Sequence, residues 1–199
     1  MSAITKIQAR SAEQTDVAYL FPESVEQAIG YLEEAAGAGR IIAGGTDVLP
    51  DIRREKIHPR SLIDITRIPE LACIDVSEAY VEIGAAVTFA AIKDSPFLNR
   101  HVQALTDAAR SVGALAIQNA ATWVGNLIQA MPAADGAIIA MALEAEACVV
   151  DGQETEWRPV ASLFRGPGMS AIDPTRQLVT RVRFPRPSGS TGTAWRRAC

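Results

Sequence analysis

The sequence predicts an α+β chain in two subdomains: a small parallel βαβ unit, then a larger unit built on a mixed sheet. Three observations carry that prediction. Two short apolar strands, Ile41–Ala43 and Leu62–Ile65, flank a short helix and charged loop over 47–56, the layout of a parallel pair with a crossover. The pattern changes after Ile68-Pro69-Glu70, where two strand-like segments surround a short turn. A late strand over 177–184 precedes a stretch rich in Pro, Ser and Gly. The predicted division is an N-terminal extension over 1–15, a small subdomain over 16–70, a larger one over 71–185, and a linker over 186–199 that opens a further domain.

Ser24 and Gln27 form an S-x-x-Q capping box. Val25, Ala28, Ile29, Leu32 and Ala36 then recur at helical spacing, so 25–36 is an amphipathic helix ending at Gly37 and Gly39. Residues 73–76 and 80–87 are strands of a hairpin with the turn Ser77-Glu78-Ala79. In the second strand Val81, Ile83, Ala85 and Val87 point inward and Glu82 and Gly84 outward. Thr88 caps a helix running to Asp94, and 101–112 is a longer helix with Val102, Leu105, Ala108 and Ala109 on one face. The Gly-, Asn- and Ala-rich stretch 114–133 reads as irregular. Asp135 begins an apolar helix through Leu143, followed by the strand Ala147–Val150.

The chain has 199 residues, 48% hydrophobic and 21% charged, a globular composition. Its net charge of -4 and the lack of a basic stripe argue against a nucleic-acid partner. The longest apolar stretch, 137–150, is interrupted by Glu144 and Glu146, so no membrane span is expected. Residues 1–16 lack the apolar core of a signal peptide. Cys73, Cys148 and Cys199 are far apart with no C-x-x-C, which suits a reducing cytoplasm and gives no zinc or cluster pattern. His58 and His101 are isolated and read as surface or satisfied histidines rather than ligands.

Two segments carry chemistry. In Ile41-Ile42-Ala43-Gly44-Gly45-Thr46-Asp47-Val48 a buried strand breaks into paired glycines and then into a capped start of the next element. Paired glycines let backbone N–H groups approach a bulky anion, so the turn is either a plain turn or a phosphate cradle. The second segment is Thr122-Trp123-Val124-Gly125-Asn126, followed by Pro132-Ala133-Ala134-Asp135. Gly125 permits close backbone approach, and Thr122 and Asn126 offer a hydroxyl and an amide for phosphate or ribityl oxygens. Asp135 is either a ligand group or simply a helix N-cap.

Taken together, these segments resemble the FAD-binding subunit of the molybdenum hydroxylases, the family of the carbon monoxide dehydrogenase medium subunit and the xanthine dehydrogenase flavin domain. Pro22–Ala28, Ala43–Asp47, Ile83–Thr88, and Ile117–Asn126 with Pro132–Asp135 stand in the family's order, and the likeness runs from Asp16 to Pro185. The resemblance implies a PCMH-type, vanillyl-alcohol-oxidase-like fold in which FAD lies extended between two subdomains. It implies that Ile41–Val48 wraps the pyrophosphate and that Thr122–Asn126 forms the second wall. Asp135 would bind the sugar-alcohol part of the flavin, Val179 would lie against the isoalloxazine, and Val112 would pack on the cofactor. It further implies an oxidoreductase subunit that takes electrons from the [2Fe-2S] clusters of one partner and passes them to an external acceptor. It implies as well that molybdopterin is held by another partner and that no residue of this chain acts as a general base.

The chain departs from the family's second loop, Gly-Thr-Ile-Gly-Gly-Asn, at Ala121, Trp123 and Val124. A valine in place of a glycine requires a negative φ or a different path. Met169 stands near the place of a family lysine. The family's C-terminal domain is expected to be absent, with Ala194-Trp195-Arg196-Arg197 resembling its opening strand and Arg196 matching a cation that reaches the flavin. Two competing readings are a scaffold that kept the fold without flavin, and an unrelated mononucleotide-binding α/β domain with a single phosphate loop.

Overall fold

The computed structural model of the chain describes residues 5–6, 17–189 and 191–196. Cys199 and most of the N-terminal extension lie outside the described residues. β1 (Thr5–Lys6) and β2 (Ala18–Leu20) precede α1 (Val25–Glu34). Ser24 Oγ accepts from Gln27 N at 3.2 Å, while Gln27 Oε1 accepts from Glu23 N at 2.7 Å, one residue before the cap. Ala28, Ile29 and Leu32 form the buried stripe of α1. β3 (Gly39–Ile42), α2 (Val48–Arg53) and β4 (Ser61–Asp64) follow. The first sheet has the order β1-β2-β4-β3, with β4 buried at its centre and parallel to both β2 and β3. The parallel pair expected from the sequence is therefore β3 with β4, and β2 joins it on the other side.

Two short 3-10 turns, Ile65–Arg67 and Pro69–Leu71, lead to β5 (Ile74–Val76) and β6 (Tyr80–Gly84). Six helices come next: α3 (Phe89–Asp94), α4 (Pro96–His101), α5 (Gln103–Ser111), α6 (Leu115–Ala120), α7 (Trp123–Ile128) and α8 (Asp135–Ala142). The chain then forms β7 (Glu146–Asp151), β8 (Glu154–Pro159), the small hairpin β9 (Phe164–Gly166) with β10 (Met169–Ser170), and β11 (Gln177–Pro185). The second sheet has the order β5-β6-β11-β7-β8.

Every ladder in that sheet is antiparallel, so the larger sheet is not mixed in the way the sequence suggested. The reason is connectivity: β5–β6 and β7–β8 are hairpins, and the long β11 returns between them. The mixed sheet is the smaller one, through β1. Three local expectations also change. β6 stops at Gly84, which is buried rather than outward, because a Cβ there would stand 2.2 Å from Leu71 O. The helix expected over 101–112 is broken at Val102, and a separate α4 begins with Pro96 after Ser95, whose Oγ accepts from Leu98 N at 3.4 Å. The stretch expected to be irregular holds α6 and α7.

The core lies between the second sheet and its helices. Trp123, Phe89, Phe184, Ile83, Leu105 and Leu127 are fully buried in it. Each such side chain contributes about 1.5–3 kcal/mol by leaving water. Residues 191–196 form no strand; Thr193 Oγ1 accepts from Ala104 N at 3.2 Å, and Arg196 is exposed.

Candidate functional site

β3 ends at the buried Ile42, and the chain leaves the sheet as Ala43-Gly44-Gly45-Thr46. Gly45 has φ +68°, which side-chain-bearing residues reach only with strain. Gly44 is required for a different reason. A Cβ on it would stand 1.7 Å from Ala120 O and 3.0 Å from Ala121 N. The first loop thus rests directly on the backbone that leads into the second motif.

Asp47 stands at the N-cap of α2 but makes no capping hydrogen bond through its side chain. Its backbone is already near-helical, at φ -110° and ψ -44°, whereas a capping side chain needs an extended backbone. Asp47 is an exposed residue, yet burial of its carboxyl end raises its pKa; Thr46 Oγ1, which donates to it at 3.4 Å, works against that rise and Asp51 adds to it.

The second wall is fastened by backbone contacts. Thr88 bridges Thr122, Phe89 N donates to Ala121 O at 3.0 Å, and Trp123 N to Val87 O at 3.4 Å. Thr122 Oγ1 accepts from Gly125 N at 3.1 Å and so caps α7. The variant positions are explained by this helix. Val124 sits in its first turn and is absent from the positive-φ residues, so no glycine-only conformation is asked of it. Trp123 is a core residue: it is 0% exposed, its Nε1 donates to Gly136 O at 2.9 Å, and its ring meets Phe184 edge-on at 6.2 Å. Gln118 is buried, and its Nε2 donates to Arg110 O at 3.0 Å and Val112 O at 3.1 Å, which fixes Val112 beside the same opening.

Between the walls lies a cavity of about 280 Å³. Of the residues expected from the sequence, Ile41, residues 43–48, Val112, Thr122, Val124, Gly125, Asn126 and Val179 line it. Ile42 and Trp123 are buried behind it, and Asp135 is not part of the lining. Asp135 is the first residue of α8 rather than its N-cap, which is Ala134. Met169, on β10, and Arg196 are also outside the lining. Val179 enters at an irregularity of β11, where the register to β7 shifts between Val179 and Arg181. Ala85, whose N donates to Thr180 O at 2.9 Å, lines the cavity beside it.

The lining suits an extended phosphate-bearing cofactor. Among the described residues, nothing accepts a hydrogen bond from the backbone N–H groups of Gly44, Gly45, Thr46 and Asp47. Such a run of open N–H groups is an anion cradle. Asn126 lines the cavity, while its Oδ1 packs against Gly136 and has no hydrogen-bond partner among the described residues. Apolar surface for a ring system comes from Val112, Val124, Ile172 and Val179. Sequence reading missed Arg40, Ile117, Ile172 and Gln177 in this lining. Arg40 carried a usable signal, since a cation on the strand that feeds a phosphate-type loop is chemically apt; the others are placed only by tertiary packing. Among the described residues, no group of three or more His, Cys, Asp or Glu could hold a metal ion, and no helix is long and apolar enough to cross a membrane.

With this geometry in place, comparison defines the class. Residues 12–187 match the family model of the FAD binding domain in molybdopterin dehydrogenase, and the chain belongs to that family. It is 32% identical over 183 residues to the nicotinate dehydrogenase FAD-subunit of Eubacterium barkeri, across 90% of this chain and 62% of that subunit. Its fold is similar to a chain of carbon monoxide dehydrogenase from Hydrogenophaga pseudoflava, with TM-score 0.83 and 27% identity over 88% of this chain and 61% of the other. Quinoline 2-oxidoreductase from Pseudomonas putida 86 gives TM-score 0.81 and 25% identity over 86% and 60%. The chain therefore spans about three fifths of the length of these relatives.

Proposed function

We propose that this chain is the FAD-binding electron-transfer subunit of a molybdenum-dependent hydroxylase or dehydrogenase. The observation that carries the reading is the seating of Gly44 on the Ala120 carbonyl, because it makes two distant glycine motifs the facing walls of one cleft. The family relationship supplies the identity of the cofactor.

In this reading the open N–H groups of residues 44–47 donate to the pyrophosphate. Thr122 and Asn126 face the cofactor from the opposite wall, and Val112 and Val179 offer apolar surface to the isoalloxazine. When bound, FAD supplies exchange of electrons, singly or in pairs, between the iron–sulfur clusters of a partner subunit and an external acceptor. The residues of the chain bind, orient and shield; none is assigned a proton-transfer role. Molybdopterin and the [2Fe-2S] centres belong to partner subunits of the complex.

The test is a visible spectrum of the purified chain, as isolated and after incubation with FAD followed by desalting. The reading predicts retained flavin bands. A chain with no flavin and no measurable FAD affinity would instead be a scaffold that kept the fold.

A further inference from the structure

Arg40 lies on β3, just ahead of the first loop, and lines the same cavity. We propose that Arg40 is the counter-charge for the phosphates of the dinucleotide, a positioning residue additional to the glycine loop. The proposal rests on the FAD reading above.

The guanidinium is poorly provided for by the protein alone. Arg40 Nε is buried and has no hydrogen-bond partner among the described residues. Burial lowers the pKa of Arg40, while Asp51 and Asp173 act in the opposite direction. Neither carboxylate forms an ion pair with Arg40, and each has another partner. Asp51 Oδ1 pairs with Lys56 Nζ at 3.2 Å. Asp173 Oδ1 accepts from Thr175 N at 3.0 Å and from Thr175 Oγ1 at 2.6 Å.

Arg40 is only partly buried, but its Nε is out of water without a partner, and an anion entering the cleft can accept from it and offset that cost. Arginine suits a phosphate in particular, because its planar fork can donate two parallel N–H bonds to phosphate oxygens. The open N–H groups of residues 44–47 border the same cavity, so one phosphate-bearing ligand can satisfy both sets of donors.

The experiment titrates the full chain with FAD and with riboflavin, which lacks phosphate, following flavin fluorescence for wild type, R40Q and R40K. The preference for FAD over riboflavin is expected to fall about 10- to 100-fold in R40Q, as for loss of a charge-assisted bond. In R40K, which keeps the charge but loses the fork, it should fall at least about 3-fold. A preference unchanged in R40Q overturns the proposal, and so does an equal loss for both flavins, which marks a packing role. If R40Q does not fold, R40K decides by the same ratio: an unchanged ratio overturns the proposal. A wild-type chain that binds neither flavin overturns the FAD reading itself, and the Arg40 proposal with it. Wild-type FAD binding with no Arg40 effect overturns only the latter.

Discussion

Gly44 faces the carbonyl oxygen of Ala120 so closely that a Cβ on residue 44 would stand 1.7 Å from it. Because Ala120 O is backbone, no side-chain rotation can make room. Gly44→Ala therefore has to push the first loop away from the second wall. We expect it to cost about 1–3 kcal/mol of stability, as overpacking does, and to weaken FAD binding. Urea unfolding and a flavin titration of the same variant measure the two effects; a G44A chain with wild-type stability and affinity would mean that the walls are not in contact.

Thr122 acts on the same wall through its cap. Its Oγ1 accepts from Gly125 N at 3.1 Å, so Thr122→Ala leaves that donor without its partner. The expected loss is about 1 kcal/mol. Thr122→Ser keeps the oxygen and should lose much less, a comparison that chemical denaturation reads directly.

Trp123 belongs to the core. Trp123→Phe removes the indole donor to Gly136 O at 2.9 Å and leaves the volume of the second ring unfilled in the core. A loss of about 1–3 kcal/mol is expected, from one lost hydrogen bond and the cavity left behind. An unfolding midpoint equal to wild type would show that the indole bond contributes nothing.

Two carboxylates beside the cleft respond to pH with opposite signs. Burial raises the pKa of Asp47, so the folded chain holds that proton more tightly than the unfolded chain. Its contribution to stability falls as pH rises from the unfolded value to the raised folded value, and the penalty persists above both. Asp47→Asn should accordingly stabilise the chain at neutral pH and not in acid. Asp173 is held below its ordinary pKa, first by the Thr175 hydroxyl and then by the Thr175 N–H. Its stabilisation is present above the unfolded pKa and is lost as pH falls through the folded one. Thr175→Ala should destabilise at neutral pH and have little effect once Asp173 is protonated. Thermal unfolding of both variants across the acid range checks the signs.

The sequence was readable where a period or a cap was long enough to register. Val25 to Leu32 marks α1, the alternation from Val81 marks β6, and the apolar runs mark β3, β4 and β11. Elements with little internal pattern escaped. β2 has three residues, and α6 and α7 have six each, with Gly125 and Asn126 in the latter lowering helix propensity. β8 is a charged edge strand, Glu154–Pro159, without alternation. Glycines revealed both walls of the cleft because close backbone approach demands them. The same reasoning put Trp123 in the site when its indole points into the core, and it passed over Arg40. Which way a side chain faces at a helix start or a strand end is decided by the neighbouring elements.

The most direct test of the two-walled cleft is amide hydrogen exchange on the full chain, with and without saturating FAD. The account predicts slowed exchange at Gly44–Asp47 and, in the same sample, at Val124 and Gly125. Protection confined to the first loop would support a single phosphate site, and protection at neither wall would contradict the cleft as the place where FAD binds.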